Sequence, residues 1–132
     1  MDTHKTFLII DDDTEDCEFF CEAINELDPS ASCLIMNNGE DALRTLKDGT
    51  AFRPDYIFLD LNMPRMNGRE CLRELKNDQS LEKIPVVIYS TSSSQTDKDD
   101  TKKMGAVYFL TKPSEFAKLR EEIAHVLKTH LL

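Results

Sequence analysis

Tyr56-Ile57-Phe58-Leu59-Asp60 is a run of four apolar residues that stops on a carboxylate. Three other runs have the same form. Phe7-Leu8-Ile9-Ile10 ends in Asp11-Asp12, Val86-Val87-Ile88-Tyr89 ends in Ser90-Thr91, and Val107-Tyr108-Phe109-Leu110 ends in Thr111-Lys112-Pro113. Short continuous apolar runs bounded by turn residues read as buried strands. In a parallel sheet all of these ends lie on one edge. Carboxylates, a hydroxyl and an ammonium that are far apart in sequence therefore converge there, a set suited to a divalent cation and a phosphoryl group.

Between the runs, apolar residues recur at helical spacing. Cys17, Phe20, Cys21, Ile24 and Leu27 mark one face of a helix that Asp28-Pro29-Ser30 stops. Cys33 to Met36 is a short strand, and Asn37-Asn38-Gly39 turns the chain into a second helix with Ala42, Leu43 and Leu46, closed by Asp48-Gly49. Gly68 opens a third helix with Cys71, Leu72 and Leu75 inward, and the last carries Phe116, Leu119, Ile123, Val126 and Leu127. A fourth helix, Gln95 to Lys103, has no strongly apolar residue, and Lys98 stands where a core contact is expected. A helix polar all round is weakly anchored or a partner surface. No linker, repeat or low-complexity segment interrupts the series, so residues 1–132 read as a single α/β domain around a parallel sheet, with no output domain. Right-handed crossovers divide the helices between the two faces. Ligands of such folds bind outside the carboxyl ends of the strands.

Composition narrows the function classes. The net charge of −9 disfavours nucleic-acid binding, which needs basic residues against phosphates. No apolar run approaches the roughly 20 residues of a membrane span. The first strand begins too early to leave room for a leader, so a cytoplasmic location is expected. Acidity concentrates in Asp11, Asp12, Asp13, Glu15, Asp16 and Glu18. Acids at a helix start explain Glu15, Asp16 and Glu18, but Asp11 and Asp12 continue directly from an apolar strand. The cysteines form no C-x-x-C pair and have no histidine at zinc spacing, so reduced core cysteines are expected. His4, His125 and His130 read as surface residues without a partner.

Asp11, Asp12 and Asp60 would sit close together if the first and third strands are neighbours. Crowded carboxylates raise one another's pKa unless a cation intervenes. Magnesium is the natural choice, since it is held by one or two carboxylates plus a phosphate and keeps several waters. Lys112 and Ser90 would share the phosphoryl oxygens with the metal, and Asp60 would be the nucleophile.

Taken in order, Asp11-Asp12, Asp60-Leu61-Asn62-Met63-Pro64 with Gly68 beyond, Ser90-Thr91 and Lys112-Pro113 resemble the receiver domain of two-component response regulators, over essentially the whole chain. The resemblance implies a stand-alone, chemotaxis-regulator-like phosphorelay protein with a flavodoxin-like, doubly wound five-stranded parallel sheet, strand order 2-1-3-4-5, and five helices. It implies that Asp60 accepts phosphate from a sensor histidine kinase or histidine phosphotransfer protein. Asp12, Asp60 and the Asn62 backbone carbonyl would ligate Mg2+, Asp11 acting through a metal-bound water. Lys112 would pair with Asp60 and then with the phosphoryl group, and the Lys112–Pro113 bond would be cis. Ser90 would move inward on phosphorylation and Phe109 would turn inward with it, although Phe109 is equally a core residue.

Two departures stand out at the site. Serine replaces the usual threonine at Ser90, retaining the hydroxyl, and Thr91 is larger than the alanine or glycine common there, which implies narrower access and slower phosphoryl turnover. The polar fourth helix also departs from the pattern. Output is expected through an unknown downstream protein target, with the protein a monomer or weak homodimer and the face around Lys98, Lys102, Lys103 and Tyr108 as the contact surface. A haloacid-dehalogenase-type phosphatase also uses an aspartate nucleophile, but wants a second aspartate where Asn62 stands. A binding-only receiver that is never phosphorylated is the other alternative. The expectation is a phosphoacceptor switch, not a turnover enzyme.

Overall fold

The apolar runs become strands that only a two-sided core can accept. In the computed structural model, which describes residues 4–49 and 53–131, they form β1 (Thr6–Ile10), β3 (Tyr56–Leu59), β4 (Val86–Ser90) and β5 (Tyr108–Thr111), with β2 (Ser32–Met36) at one edge. The sheet is parallel throughout, in the order β2-β1-β3-β4-β5. Helices α1 (Thr14–Leu27), α2 (Gly39–Lys47), α3 (Gly68–Asn77), α4 (Gln95–Lys103) and α5 (Phe116–Val126) alternate with the strands, and a π-helical turn, Leu127–Leu131, continues α5. Beside β1 the chain steps one way to β2 and the other way to β3. This reversal opens a crevice at the carboxyl ends of β1 and β3.

Alternation along the strands sorts the core into two layers. Phe7, Ile9, Tyr56, Phe58, Val87 and Tyr89 face α1 and α5, where Phe20 packs on Phe58 with ring centroids 4.5 Å apart. Leu8, Ile10, Ile57, Leu59, Val86 and Ile88 face the other way, against Leu43, Leu46, Leu72 and Leu75 of α2 and α3. Each fully buried side chain of this kind stabilises the fold by about 1.5–3 kcal/mol. Side chains cap the helices where the sequence changes period. Asp13 accepts from Asp16 N–H, Asn38 from Asp41 N–H and Ser94 from Asp97 N–H, while Asn67 and Glu70 form a reciprocal capping box. Asp13, rather than Asp11 or Asp12, is thus the cap of α1.

Helix α4 is present, and its anchorage is polar. Thr101 is its one buried residue among those described, and Thr101 Oγ1 donates to the Asp97 carbonyl at 2.8 Å. Arg69 of α3 bridges Asp97 and Asp100, the latter at 3.0 Å, and Ser92 Oγ donates to Asp97 at 2.6 Å. Lys98 lines a groove between α4 and β5 and does not enter the core.

Three expectations need correction. Cys21 and Cys33 are joined by a disulfide, because α1 lies over the β2 edge and brings their Cα atoms to 5.6 Å, within bridging range. Cys17 and Cys71 are free and buried, as expected of core cysteines. The Lys112–Pro113 bond is trans, like the other peptide bonds among the described residues; trans is the form an X–Pro bond takes by default. Finally, the histidines are not all partnerless. His4 Nε2 lies 2.8 Å from Ser32 Oγ, and the His130 ring lies 4.6 Å from that of Tyr108.

Candidate functional site

Ladder hydrogen bonds continue past the strands and place the polar residues. Asp11 N–H donates to the Met36 carbonyl and Asp60 N–H to the Ile10 carbonyl, both at 3.0 Å. Lys112 N–H donates to the Ser90 carbonyl at 2.7 Å. With Ile10 paired to Leu59 and Leu59 to Ile88, the next residues are Asp11, Asp60 and Tyr89, with Ser90 one step beyond.

Carboxylate oxygens of Asp11, Asp12 and Asp60 lie within 4.8 Å of one another. Asp11 is fully buried, Asp60 is 5% exposed and Asp12 faces solvent. Burial and then the Asp11 charge push the Asp60 carboxyl up to about 7, against Lys112 and a hydrogen bond from the Asn62 backbone N–H. Burial likewise raises Asp11, against the Lys112 ammonium and the Asp13 N–H. One oxygen of Asp11 accepts from Asp13 N–H at 2.9 Å. The other, Oδ2, meets Lys112 Nζ at 2.8 Å as an ion pair, but accepts no well-aligned hydrogen bond among the described residues. A buried, under-satisfied oxygen in an all-carboxylate cluster fits a hard divalent cation.

The expected pairing of Lys112 is only partly met. Its Nζ is 3.9 Å from Asp60 Oδ1, but 2.8 Å from Asp11 and 2.7 Å from Asp16 Oδ2. Burial opposes the charge, yet the flanking Asp11 and Asp16 carboxylates hold the ammonium above its ordinary pKa. The Tyr89 ring lies 5.2 Å from Nζ. Asp16 escaped the sequence reading, which assigned it to the helix start. The available signal was its phase, four residues before the core residue Phe20 and so beside the buried face of α1.

Ser90 is buried, and its Oγ accepts from Ser92 N–H at 3.2 Å, which leaves the O–H as a donor. Thr91, the next residue, is exposed. Phe109 pairs in register with Ile88 and is half-buried beside the α2–α3 layer, lining the α4–β5 groove and not the carboxylate cluster. Asn62 is exposed and touches Asp60 through its N–H. The connection from β3 to α3 turns at Arg65, whose φ is 64°, and returns so tightly that Gly68 N–H donates to the Leu61 carbonyl at 2.9 Å. A Cβ at Gly68 would stand 2.6 Å from Leu61 Cα and collide with the Asp60 carbonyl oxygen. Glycine at this position lets α3 start directly behind the Asp60 backbone.

Comparison with known proteins agrees with this geometry. The profile of the response regulator receiver domain matches residues 7–124. Protein PilH of Pseudomonas aeruginosa is 38% identical over 73% of this chain and 84% of its own. Response regulator Rcp1 of Synechocystis sp. is 30% identical over 82% of this chain and 76% of its own, and a crystal structure of the Mn(2+)-bound form of response regulator Rcp1, 27% identical, superposes with a TM-score of 0.85 over 96% of this chain and 94% of that one. The phosphorylated cyanobacterial phytochrome response regulator RcpA, 29% identical, gives a TM-score of 0.88 over 96% of this chain and 93% of that one.

Proposed function

The chain belongs to the response regulator receiver domain family, a family of phosphoacceptor signalling switches, and on that premise we propose that Asp60 is the residue phosphorylated. The observation that carries the reading is the crowding of Asp11, Asp12 and Asp60 within 4.8 Å, with the Lys112 ammonium 3.9 Å from Asp60. Such a cluster is costly without cations and favourable with them.

In the proposed reaction an Asp60 carboxylate oxygen attacks phosphorus as the donor's bond from phosphorus to histidine nitrogen breaks, and the imidazole leaves with the bonding pair. The donor is a sensor histidine kinase or a histidine phosphotransfer protein. Asp60 is held for attack by its own N–H bond to Ile10 and by the Asn62 N–H on its carboxylate. Lys112 would move the remaining distance to a phosphoryl oxygen, and the buried Ser90 hydroxyl would donate to another. Asp12, Asp60 and the Asn62 carbonyl would hold Mg2+, with Asp11 behind them, and the ion would supply positive charge to the phosphoryl oxygens. The Mn(2+)-bound Rcp1 and the phosphorylated RcpA support both parts of this assignment. Inward movement of Ser90 would draw Phe109 toward the site and reshape the α4–β5 groove. The proposed setting is the cytoplasm, with residues 1–132 acting as a single receiver domain, a monomer or weak homodimer, that signals to a protein target.

Acetyl phosphate with magnesium, followed by intact mass measurement, tests this directly. One phosphoryl adduct on the wild-type protein and none on Asp60→Ala is expected. A wild-type protein that stays unmodified at saturating donor would leave a binding-only receiver.

A further inference from the structure

Lys112 is gripped by two carboxylates, and one of them lies outside the acidic cluster. Asp16 Oδ2 is 2.7 Å from Nζ, the shortest of its three ion pairs. Asp16 occupies the first turn of α1, and its N–H is bound to Asp13 Oδ1 at 3.0 Å. The next residue, Cys17, is buried, and Phe20, Ala23 and Ile24 fasten the same helix to the sheet. The Asp16 carboxylate is therefore carried on a fixed element, and it reaches Lys112 across 96 residues of sequence. The Lys112 side chain is only 8% exposed, so water does little to weaken this contact.

We propose that Asp16 is a positioning residue that holds the Lys112 ammonium back from Asp60, so that Asp16 and a phosphoryl group on Asp60 compete for one cation. The proposal rests on Asp60 being the phosphoacceptor. Asp16 accepts a hydrogen bond from the ammonium and Asp11 faces it as an ion pair at 2.8 Å, so both carboxylates hold it on the side away from a group on Asp60. They also cancel much of its field at Asp60, since unit charges act as the inverse of distance. Removing the Asp16 charge has two effects on a phosphoryl group. The ammonium becomes free to approach it, and one repelling anion disappears. The same change gives a metal ion no help, because it removes an attractive charge and lets Lys112 move toward the metal's ligands. The two affinities should therefore separate.

Beryllofluoride, an unreactive phosphoryl analogue, and magnesium can be titrated separately by calorimetry on wild type, Asp16→Asn and Asp16→Ala. At saturating magnesium, both variants should bind beryllofluoride more tightly, on the order of tenfold. Magnesium alone should bind them no more tightly than it binds wild type. A merely structural role for Asp16 would weaken both ligands together. Beryllofluoride affinity in Asp16→Asn and Asp16→Ala equal to or below that of wild type overturns the proposal. Wild type that fails to bind beryllofluoride overturns the phosphoacceptor reading and this inference with it, and the mass experiment on Asp60 identifies that case independently.

Discussion

Thr91 stands exposed at the rim, immediately after the buried Ser90 hydroxyl. Hydrolysis of an aspartyl phosphate needs a water in line with the phosphorus, and a branched side chain beside the site obstructs that approach. Thr91→Ala should shorten the phosphoryl half-life by about threefold, equivalent to roughly 0.7 kcal/mol of barrier. Decay of the mass adduct after donor removal measures it, and an unchanged half-life would end the access argument. The convergence of Asp11, Asp12, Asp60, Ser90 and Lys112 at one edge was readable from sequence because each follows an apolar run, and it needed the sheet to be parallel with β1 beside β3. Asp16 was hidden because its role depends on where α1 lies across the sheet relative to Lys112, which no local pattern records. The Asp60 preference of Lys112 was overstated for the same reason, since two nearer carboxylates outcompete the third.

Helix α3 shows how a single position couples an element to the site. Its first residue, Gly68, touches the Asp60–Leu61 backbone, so added bulk must push either the helix or the end of β3. Gly68→Ala should cost about 2–4 kcal/mol in urea unfolding. Gly39→Ala, at the start of α2, meets mainly the flexible Met66 side chain at 3.2 Å and should cost under about 1 kcal/mol. Equal losses at the two positions would contradict the close-approach argument. Strand limits in the sequence reading fell within a residue of those observed, because continuous apolar runs bounded by Pro54, Pro85 and Gly105 leave little latitude. Val107 was misassigned to β5; it is 40% exposed and precedes the strand. The anchorage of α4 was illegible, since Arg69 finds Asp97 and Asp100 only once α3 and α4 are side by side. The Cys21–Cys33 bridge was illegible for a similar reason, its spacing matching no local motif.

The acidic cluster also sets how the whole molecule responds to pH. Burial and the Asp11 charge place the folded pKa of Asp60 at about 7, against 3.8 for an ordinary aspartate, while Asp11 is raised in the same sense. Between those values the folded chain keeps a proton that the unfolded chain has released. Stability on this account is greatest near pH 4, falls as pH rises through the window, and is lowest above 7. The groups shifted the other way do not blur the effect. Asp41, Asp78 and Asp97 lie below the ordinary value, so their contributions still grow near pH 4 but are complete by about pH 5, leaving the rest of the window to the cluster, and Lys112 titrates far above it. In chelator, the unfolding free energy should drop by on the order of 2–4 kcal/mol between pH 4.5 and pH 8. Two controls separate this from general repulsion in a chain of net charge −9. Asp60→Asn removes the titrating group and should flatten most of the slope, whereas diffuse surface repulsion would persist in the variant and yield to salt. Millimolar magnesium should restore stability at pH 8 and do little at pH 4.5, because a cation binds the carboxylates only once they have lost their protons. A slope that survives in Asp60→Asn at high salt would show that the cluster is not where the protein stores its unfavourable charge.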